Sequence, residues 1–581
     1  MIFLAFFFVS FMKKVFLFVL FASVLFTLSA QKSNAAASIP SDANFWSDYP
    51  NEDLADFLIS RMTDEEILAQ IFMFGWAGEE PSALLNQWVC DRGLGSVKVF
   101  GWNTDNTEKV AKAISMLQQE AQGRRFQIPL FVATDQEGGW IRHVKGDTTE
   151  TPGNMAIGAS RYPVDAYYSA YYLSREIKAL GINMNFAPTV DLYTNRDSSV
   201  INVRSFGEDA EFVGQLGSAF VAGSVAAGVI PTAKHFPGHG DTSSDSHIKL
   251  PGVYIDWEQA EKRELVPYKY LIAQNVPAIM SGHLLYPRIE QDPVSLSRPW
   301  LHDILREKLG FKGLIITDDM MMTGAWGYAG SSSEAFKRAI EAGNDIILSS
   351  RTAELDERLW TMNLSNIRTN PKFREIVTTA ARRVVLSKLE YFKSGNAAPL
   401  YPEISRLKEL VPDREGQKFF LSQACRSITA YKRGTLPYKN SGEKILVVGP
   451  ADSARGIESD FFTQAKKRYA DAEAYKINYD GLGPVGIDWN GNQLSYMAGT
   501  YDTIIFYVPN EEGAQIAKRL KNCGKRVIIL SALAPIPVMS GFDFADTILL
   551  GYSYSRFTFQ ALFAALAGEF EPEGTLPLES K

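Results

Sequence analysis

Cysteine is scarce in this chain of 581 residues, which contains only Cys90, Cys425 and Cys523. An odd number of cysteines leaves at least one thiol unpaired, and whether Cys425 and Cys523 pair stays open at this point. A chain of this length does not need disulfides to hold a core. The scarcity therefore excludes a small disulfide-held scaffold, and the length predicts at least two separate hydrophobic cores.

Long runs of like charge are also absent. The chain has 59 Lys and Arg against 66 Asp and Glu, which gives a net charge of −7 without a long acidic block. A nucleic-acid-binding surface requires a basic patch or stripe, so this balance argues against a nucleic-acid partner. Hydrophobic residues at 46% and charged residues at 22% are ordinary values for a globular protein.

After residue 28 the sequence has no apolar run long enough to cross a membrane. Before that point, Lys13 and Lys14 precede the apolar run Val15–Leu28, and small residues follow. This order is typical of a secretory signal peptide, which we place at residues 1–30 with Met12 as the expected start. We therefore expect a secreted or periplasmic protein with no stable membrane partner. If the signal is not cleaved, the same segment would anchor the chain in a membrane.

Short apolar segments alternate with amphipathic helical patterns from about Asp53 to Arg382. The candidate strands are Gln70–Gly75, Ser96–Gly101, Pro129–Thr134, Gly181–Pro188, Ile230–Lys234, Ala278–Ser281, Gly313–Thr317 and Asp345–Ser349. Helical patterns such as Glu108–Glu120, Ala166–Leu180 and Ser333–Ala342 lie between them. This alternation is typical of a parallel sheet, and about eight repeats predict a (β/α)8 TIM-like barrel rather than an open doubly wound sheet.

A second series of strands follows the barrel region. Its members are Lys444–Gly449, Thr503–Val508, Arg526–Leu530 and Thr547–Gly551. A helical pattern at Glu512–Lys521 separates two of them, so this part predicts a smaller α/β domain. We place the barrel at residues 44–395, a linker region rich in proline and glycine at 396–440, and the second domain at 441–581.

Polar and charged residues follow the barrel strands at the point where each strand ends. They are Asp135 and Glu137, Asp191, Lys234 and His235, His283, and Asp318 and Asp319. Buried charges are costly unless they are paired, so a purely structural explanation does not account for five consecutive strand ends. The carboxyl ends of the strands are where a barrel enzyme builds its active site.

The densest of these segments runs from Lys234 to His247 and holds three of the six histidines of the chain. Its glycines and proline predict a shaped loop rather than a helix. Asp245 and His247 are two residues apart, so the carboxylate can hold one ring nitrogen and stabilise the imidazolium. A zinc site built from His235, His239, His247 and a carboxylate is an alternative, although the ammonium of Lys234 would then lie beside the metal.

At this point the sequence resembles glycoside hydrolase family 3, in its β-N-acetylglucosaminidase branch. The Lys-His-Phe-Pro-Gly-His-Gly segment at 234–240, followed by Asp-Ser-His at 245–247, resembles the signature of that branch. The segments Asp135–Gly139, Arg204–Gly207 and Thr317–Met320 resemble three further family motifs, and all of them occur in family order.

The resemblance implies a retaining exo-β-N-acetylglucosaminidase in which Asp318 is the nucleophile, His247 is the acid/base and Asp245 is the charge partner of His247. It assigns the binding of sugar hydroxyls to Asp135, Arg204, Lys234 and His235. It implies no metal and no cofactor, and it names terminal N-acetylglucosamine on peptidoglycan fragments or chitooligosaccharides as the substrate. Trp140 departs from the pattern because the family often has arginine there, which leaves the shape of the pocket edge open.

Several alternatives stay open on the sequence alone. A β-glucosidase of the same family would take its acid/base glutamate from the second domain. A phosphorylase is compatible with a histidine acid/base, because a neutral or cationic ring tolerates an incoming phosphate. A non-catalytic sugar-binding protein and a zinc hydrolase are further alternatives, and the sequence makes no prediction about the oligomeric state.

Overall fold

The structure is a computed structural model that describes residues 39–242, 250–452 and 456–579. The predicted signal peptide at 1–30 lies outside the described residues, and so do the predicted acid/base His247 and its partner Asp245. Within the described ranges, no helix is both long enough and apolar enough to cross a bilayer.

The first unit is a barrel of eight parallel strands. Its strands are β1 (Phe72–Gly75), β2 (Ser96–Lys98), β3 (Phe131–Thr134), β6 (Met184–Asn185), β7 (Ile230–Phe236), β8 (Ala278–Ser281), β9 (Leu314–Thr317) and β10 (Ile347–Ser349), while β4 (Gln136–Gly138) and β5 (Ile141–Arg142) form a separate antiparallel hairpin. The order around the barrel is β10-β1-β2-β3-β6-β7-β8-β9. A parallel bridge between Ile316 and Ile346 brings β9 beside β10 and nearly closes the circle. The predicted (β/α)8 barrel is confirmed.

The barrel strands are buried along their whole length. One face of each strand points into the barrel and the other is covered by helices, so both faces favour apolar residues. The Leu-Ile-Ile-Thr run of β9 shows this pattern. All eight predicted strands occur, with ends that differ by a few residues from the expected ones.

Helices cover the outside of the barrel. The α-helices are Asn51–Arg61, Asp64–Gln70, Ala83–Gln87, Thr107–Gln122, Asn154–Ser160, Pro163–Ala179, Ala210–Ala227, Trp257–Gln259, Val266–Ala273, Thr323–Ala329, Ser332–Ala342, Arg358–Thr369 and Pro371–Phe392. Three π-helical stretches are Trp88–Arg92, Ala260–Glu264 and Pro299–Lys308, and three 3-10 turns are Gly101–Asn103, Asn202–Arg204 and Val294–Leu296.

Local sequence explains where these helices begin and end. The side chain of Asn106 accepts a hydrogen bond from the backbone N–H of Lys109 at 3.0 Å and so caps the helix Thr107–Gln122. Val110, Ile114 and Leu117 lie on the buried face of that helix at helical spacing. The helix Ala210–Ala227 ends at Gly228, whose φ of +85° lies in the left-handed region that glycine adopts without strain.

The second unit is a six-stranded sheet with helices. Its strands are β11 (Thr429–Lys432), β12 (Ile445–Pro450), β13 (Glu473–Ile477), β14 (Thr503–Val508), β15 (Arg526–Ser531) and β16 (Thr547–Leu550), in the order β11-β16-β15-β14-β12-β13. β11 is antiparallel to β16, and the other pairs are parallel. The predicted α/β domain is confirmed, while the edge strands β11 and β13 were not expected from the sequence.

The second half has fewer helices than the barrel among the described residues. The α-helices are Leu407–Leu410, Arg414–Ser427, Ile457–Arg468, Gly483–Ala498, Glu511–Lys518 and Arg556–Ala567, with 3-10 turns at Ile404–Arg406, Arg519–Asn522 and Ile536–Val538. The segment predicted as a linker, 396–440, therefore carries the helix Arg414–Ser427 and the strand β11. The boundaries proposed for the three regions stay predictions.

Several contacts join the second unit to the barrel, and they include a hydrophobic core that Met155, Ala156 and Ala159 share with the second sheet. The helix Arg414–Ser427 packs against the helix Pro163–Ala179, and the guanidinium of Arg426 pairs with the buried carboxylate of Asp165. On another side, residues 574–579, which we call the C-terminal strap, cross back to the barrel. The N–H of Thr575 in the strap donates to the carbonyl of Ala159 at 2.9 Å. All three cysteines are free thiols, so Cys425 and Cys523 are not paired.

Candidate active site

Ionisable side chains from six barrel strands lie together at the carboxyl face of the barrel. They are Lys98 from β2, Asp135 after β3, Asp191 after β6, Lys234 and His235 from β7, His283 after β8, and Asp318 after β9. The hairpin β4–β5 adds Glu137, and the turn Asn202–Arg204 adds Arg204. Because parallel strands end at the same face, residues far apart in the chain meet here.

Five of these residues form an alternating series of charges, which we call the charge chain: Lys98, Asp135, Lys234, Glu137 and Arg204. The ammonium of Lys98 pairs with one oxygen of Asp135, and Lys234 Nζ lies 2.5 Å from the other. Lys234 Nζ also lies 2.7 Å from Glu137 Oε1. Arg204 completes the series by donating to both oxygens of Glu137, at 2.7 and 2.9 Å. The two carboxylates are thus each held between two cations.

The charge chain is buried, and its two carboxylates and Lys234 stay ionised. Burial acts to raise the pKa of Asp135, but Lys234 and Lys98 outweigh it and hold that pKa well below its usual range. Burial likewise opposes ionisation of Glu137, yet Arg204 and Lys234 lower its pKa to about 2. Burial acts to lower the pKa of Lys234, whereas Asp135 and Glu137 raise it above its usual value. The site therefore presents fixed ammonium and guanidinium donors, which suit the hydroxyl groups of a sugar.

His235 is held in one orientation by Asp191. Its Nδ1 lies 2.7 Å from Asp191 Oδ2, so Nδ1 carries the proton and Nε2 faces the site, 3.5 Å from Arg204 Nη2. The same carboxylate accepts the backbone N–H of His239 at 2.7 Å. Asp191 thereby positions both the end of β7 and the loop that follows it.

Asp318 is the partly exposed carboxylate at the end of β9. Its backbone N–H donates to the carbonyl of Ser281 at 3.0 Å, and its Oδ1 accepts the next backbone N–H at 2.8 Å. Burial acts to raise the pKa of Asp318, but the rings of His235 and His283, that backbone N–H and the ammonium of Lys234 together lower it. Burial lowers the pKa of His283 itself, so that ring is neutral at neutral pH and adds little there.

The neighbouring Asp319 is used differently. Its Oδ1 accepts backbone N–H groups from Met321 at 3.0 Å and Ser350 at 2.9 Å, and its carbonyl lies 3.0 Å from His283 Nε2. This carboxylate therefore ties the loops after β9 and β10 together. Of the two adjacent aspartates, Asp318 is the one whose side chain is available to a ligand.

These residues all lie within a part of the chain that matches a known family. Residues 62–385 match the glycosyl hydrolase family 3 N terminal domain. The chain belongs to glycoside hydrolase family 3. A β-hexosaminidase of Tolumonas auensis is 36% identical over 258 residues, which cover 44% of this chain and 75% of that protein.

Two further proteins are similar to this chain. β-Hexosaminidase A of Pseudoalteromonas piscicida is 37% identical over 282 residues, 45% of this chain, and the chain spans 47% of that protein. The solved structure of a family 3 β-N-acetylglucosaminidase from Paenibacillus sp. str. FPU-7 matches with a TM-score of 0.78 and 28% identity, over 89% of this chain and 99% of that chain. The predicted resemblance and the enzyme class of glycoside hydrolase are confirmed, while the roles of single residues stay predictions.

The family motif after β7 leads into the loop that carries Asp245 and His247, which lie outside the described residues. The loop leaves the barrel at Asp241 and Thr242. Asp241 Oδ2 lies 3.0 Å from Arg263 Nη2, and Asp241 Oδ1 accepts from the hydroxyl of Thr194 at 3.3 Å. These contacts fix the point from which the predicted acid/base segment departs.

A buried carboxylate lies beneath the same loop. Glu264 Oε1 accepts from Arg263 at 2.6 Å, whereas Glu264 Oε2 has no hydrogen-bond partner in the described residues. Burial raises the pKa of Glu264 to about 7. An added Cβ at Gly238 would come within 2.7 Å of Glu264 Oε2, so only glycine fits at that position of the loop.

The zinc alternative finds little support in the part of the chain that the structure describes. Among those residues no group of three or more His, Cys, Asp or Glu side chains is arranged to hold a metal ion. His239 Nδ1 lies 2.8 Å from the hydroxyl of Thr242, which in turn donates to the carbonyl of His239. His235 Nδ1 is likewise engaged by Asp191.

The structure brings together five of the seven predicted site residues, namely Asp135, Arg204, Lys234, His235 and Asp318. Lys98 and the role of Asp191 were missed. A lysine at the end of a buried strand requires a nearby carboxylate, and Ser96-Val97-Lys98 gives that signal.

Proposed function

We propose that this chain is an exported, retaining exo-β-N-acetylglucosaminidase that releases terminal N-acetylglucosamine through a covalent glycosyl-aspartate intermediate. Peptidoglycan fragments and chitooligosaccharides both offer that terminal sugar. The observation that carries the proposal is the ionised, accessible carboxylate of Asp318 opposite the buried charge chain. The names of the relatives and the 28% identical Paenibacillus enzyme support the choice of sugar.

In the first step, Asp318 attacks the anomeric carbon while the bond to the leaving oxygen breaks, and the leaving oxygen takes a proton. In the second step, the base removes a proton from water, which attacks the anomeric carbon and releases Asp318. The lowered pKa of Asp318 keeps the nucleophile ionised at neutral pH.

The proton donor is assigned to His247, with Asp245 as its charge partner. Four carboxylates of the described site, Asp135, Glu137, Asp191 and Asp318, have lowered pKa values and hold no proton at neutral pH. A general acid is most effective with a pKa near the working pH, which a histidine supplies. This electrostatic pattern supports a donor outside the barrel strands, and the loop after β7 is the proposed source.

The glycone is proposed to lie against the charge chain. Asp135 and Nε2 of His235 accept hydrogen bonds from sugar hydroxyls, while Lys234 and Arg204 donate to sugar oxygens. Because these donors are held by ion pairs before the substrate arrives, little reorganisation accompanies binding.

The test compares nitrophenyl N-acetyl-β-glucosaminide with the corresponding β-glucoside, each with and without inorganic phosphate. We expect a preference for the N-acetyl sugar of at least about tenfold in kcat/KM, equivalent to about 1.4 kcal/mol. The product should be free N-acetylglucosamine in both buffers. Equal rates on the two sugars would favour a β-glucosidase, and a sugar 1-phosphate product would favour a phosphorylase.

Asp318→Asn is the matched inactive variant, and Asp303→Asn is its control. Asp303 lies on the barrel exterior with a side chain that is 57% exposed, so its loss should leave kcat/KM unchanged. Export is tested separately by sequencing the N-terminus of the mature protein. A mature chain that begins near residue 31 supports cleavage, and one that retains residues 1–30 supports an anchor.

A further inference from the structure

Four buried polar side chains lie next to the segment that carries Asp318. They are Ser281 at the end of β8, His283 just after β8, Ser295 in the turn Val294–Leu296 and Asn344 after the helix Ser332–Ala342, and each is 0% exposed. Burying a polar group costs free energy unless that group is hydrogen-bonded. The steps of the proposed function use none of the four, so their place beside the nucleophile requires another explanation.

These side chains form a continuous set of hydrogen bonds, which we call the buried network. The hydroxyl of Ser281 donates to Asn344 Oδ1 at 2.7 Å, and Asn344 Nδ2 donates to the carbonyl of Ser295 at 2.9 Å. The hydroxyl of Ser295 lies 2.7 Å from His283 Nδ1. The network ends at the carbonyl of Asp319, which lies 3.0 Å from His283 Nε2. It therefore connects β8 and the turn after it to the residue that follows the nucleophile.

The partners of His283 determine its tautomer. A carbonyl oxygen can only accept a hydrogen bond, so Nε2 carries the proton that is donated to Asp319. Burial lowers the pKa of His283, so the ring is neutral at neutral pH and Nδ1 has no proton. Nδ1 therefore accepts from the hydroxyl of Ser295. Both ring nitrogens are engaged, which fixes the ring and directs its one N–H at Asp319.

The nucleophile is tied to the buried network on both sides. Before it, the backbone N–H of Asp318 donates to the carbonyl of Ser281 at 3.0 Å, and the hydroxyl of Ser281 is held by Asn344. After it, the backbone N–H of Asp319 donates to Asp318 Oδ1 at 2.8 Å. The carbonyl of the same Asp319 is the group that His283 holds. His283 thus acts on the residue whose N–H engages one carboxylate oxygen, and Oδ2 is the oxygen left for attack.

We propose that His283 is a positioning residue for the nucleophile: by donating from Nε2 to the carbonyl of Asp319, it holds the carboxylate of Asp318 in the orientation that attacks the anomeric carbon. This inference rests on the proposed function, which makes Asp318 the nucleophile. His283 is fully buried, so it acts through Asp319 and does not contact the sugar. A displacement of about 1 Å at a reacting group can lower a rate by roughly 10²-fold, which sets the expected size of the effect.

The experiment separates the reaction rate from sugar binding in the full chain. It measures kcat/KM on nitrophenyl and dinitrophenyl N-acetyl-β-glucosaminides, together with the inhibition constant of free N-acetylglucosamine. His283→Leu keeps a buried side chain of similar volume but has no nitrogen. It should lower kcat/KM by roughly 10²-fold on both substrates, because both need the nucleophile. The inhibition constant should stay at the wild-type value, because the charge chain that holds the sugar is unchanged.

Further variants test the hydrogen bonds of the ring. His283→Gln places an amide N–H near the position of Nε2 and should recover about tenfold of the lost kcat/KM, the factor that corresponds to one hydrogen bond. Ser295→Ala removes only the donor to Nδ1 and should lower kcat/KM by about tenfold. In the His283→Leu background, Ser295→Ala should have no further effect on kcat/KM, because it acts through the ring. His302→Leu is the control, since His302 lies on the barrel exterior with a side chain that is 44% exposed.

The two levels of inference fail differently. If Asp318→Asn hydrolyses the aryl glycosides as fast as the wild-type chain, the proposed function is wrong. If Asp318→Asn is inactive but His283→Leu keeps the wild-type kcat/KM, or weakens inhibition by the free sugar as much as it lowers the rate, the role of His283 is overturned and the proposed function stands. If His283→Leu does not fold, Ser295→Ala decides: an unchanged kcat/KM overturns the proposal, and a tenfold loss with unchanged inhibition supports it.

Discussion

Replacing Asp135 by asparagine should destabilise the barrel more than replacing Lys234 by methionine, although Lys234 lies at the centre of the charge chain. Removing Lys234 divides the charge chain into two intact ion pairs, Lys98 with Asp135 and Glu137 with Arg204. Removing the Asp135 carboxylate leaves the ammonium of Lys98 without an anionic partner, although its side chain is only 5% exposed.

The magnitudes follow from burial. An uncompensated buried charge costs about 3–5 kcal/mol, and the Phe100 ring, 3.8 Å from Lys98 Nζ, recovers only about 1 kcal/mol of it. Loss of Lys234 removes charge-assisted hydrogen bonds but leaves no charge without a partner. It should therefore lower the free energy of unfolding by about 1–3 kcal/mol. At about 2–4 °C for each kcal/mol, Asp135→Asn should lower the Tm by roughly 5–10 °C and Lys234→Met by about half as much.

The assay is thermal unfolding followed by near-UV circular dichroism at pH 7 and one fixed scan rate, because unfolding of a chain of this size is often irreversible. Adding Lys98→Met to Asp135→Asn should recover part of the lost Tm, since it removes the orphaned charge. A lower Tm for Lys234→Met than for Asp135→Asn, or a further loss in the double variant, would refute the alternating charge chain. Both single variants should also lose activity.

Three other predictions concern the catalytic residues, a buried carboxyl and the second unit. Asp318→Ala should lower turnover of every substrate by several orders of magnitude. His247→Ala should spare dinitrophenyl glycosides and slow alkyl glycosides by roughly 10² to 10⁴, and equal slowing in presteady-state kinetics would remove His247 from the role of acid. Because the pKa of Glu264 is raised from 4.5 to about 7, the folded state keeps a proton that the unfolded chain releases, so stability falls as pH rises through that window. Glu264→Gln should reduce the change in the free energy of unfolding between pH 5 and 8 by about 2.5 kcal/mol, and an unchanged slope would contradict the assignment. Asp480→Asn should change hydrolysis of the aryl N-acetylglucosaminide by less than about tenfold, and a larger loss in a folded variant would favour the β-glucosidase alternative.

Much of the fold was predictable because buried parallel strands leave a strong mark in the sequence. The apolar runs of the barrel and of β12, β14, β15 and β16 are covered on both faces and were all found. The edge strands β11 and β13 were missed because Thr-Ala-Tyr-Lys and Glu-Ala-Tyr-Lys-Ile are only partly buried and carry no clear period. The hairpin β4–β5 was missed because Gln-Glu-Gly and Ile-Arg are too short to form a pattern.

The site was predictable residue by residue but not in its connections. The motifs identified Asp135, Lys234 and Arg204 as separate sugar-binding groups. Lys98, Lys234 and Arg204 share the two carboxylates of Asp135 and Glu137. This sharing depends on which strands become neighbours, which is a property of the closed barrel rather than of any one segment. The cleft of about 680 Å³ between the barrel and the second unit could not be predicted from the sequence for the same reason, because its two walls belong to different units.

The C-terminal strap has a mechanical consequence. A second unit attached to a barrel by one connection can swing about that connection, which is how hinge-closing enzymes trap a substrate. Here the helix Arg414–Ser427 holds one side of the unit, and the strap holds another through Thr575. These two attachments and the hydrophobic core that the units share restrict such a swing, so we expect the spacing between the units to be set before any ligand arrives. Substrates would then enter a site whose shape does not change on binding, and their association rate should not depend on a closing step.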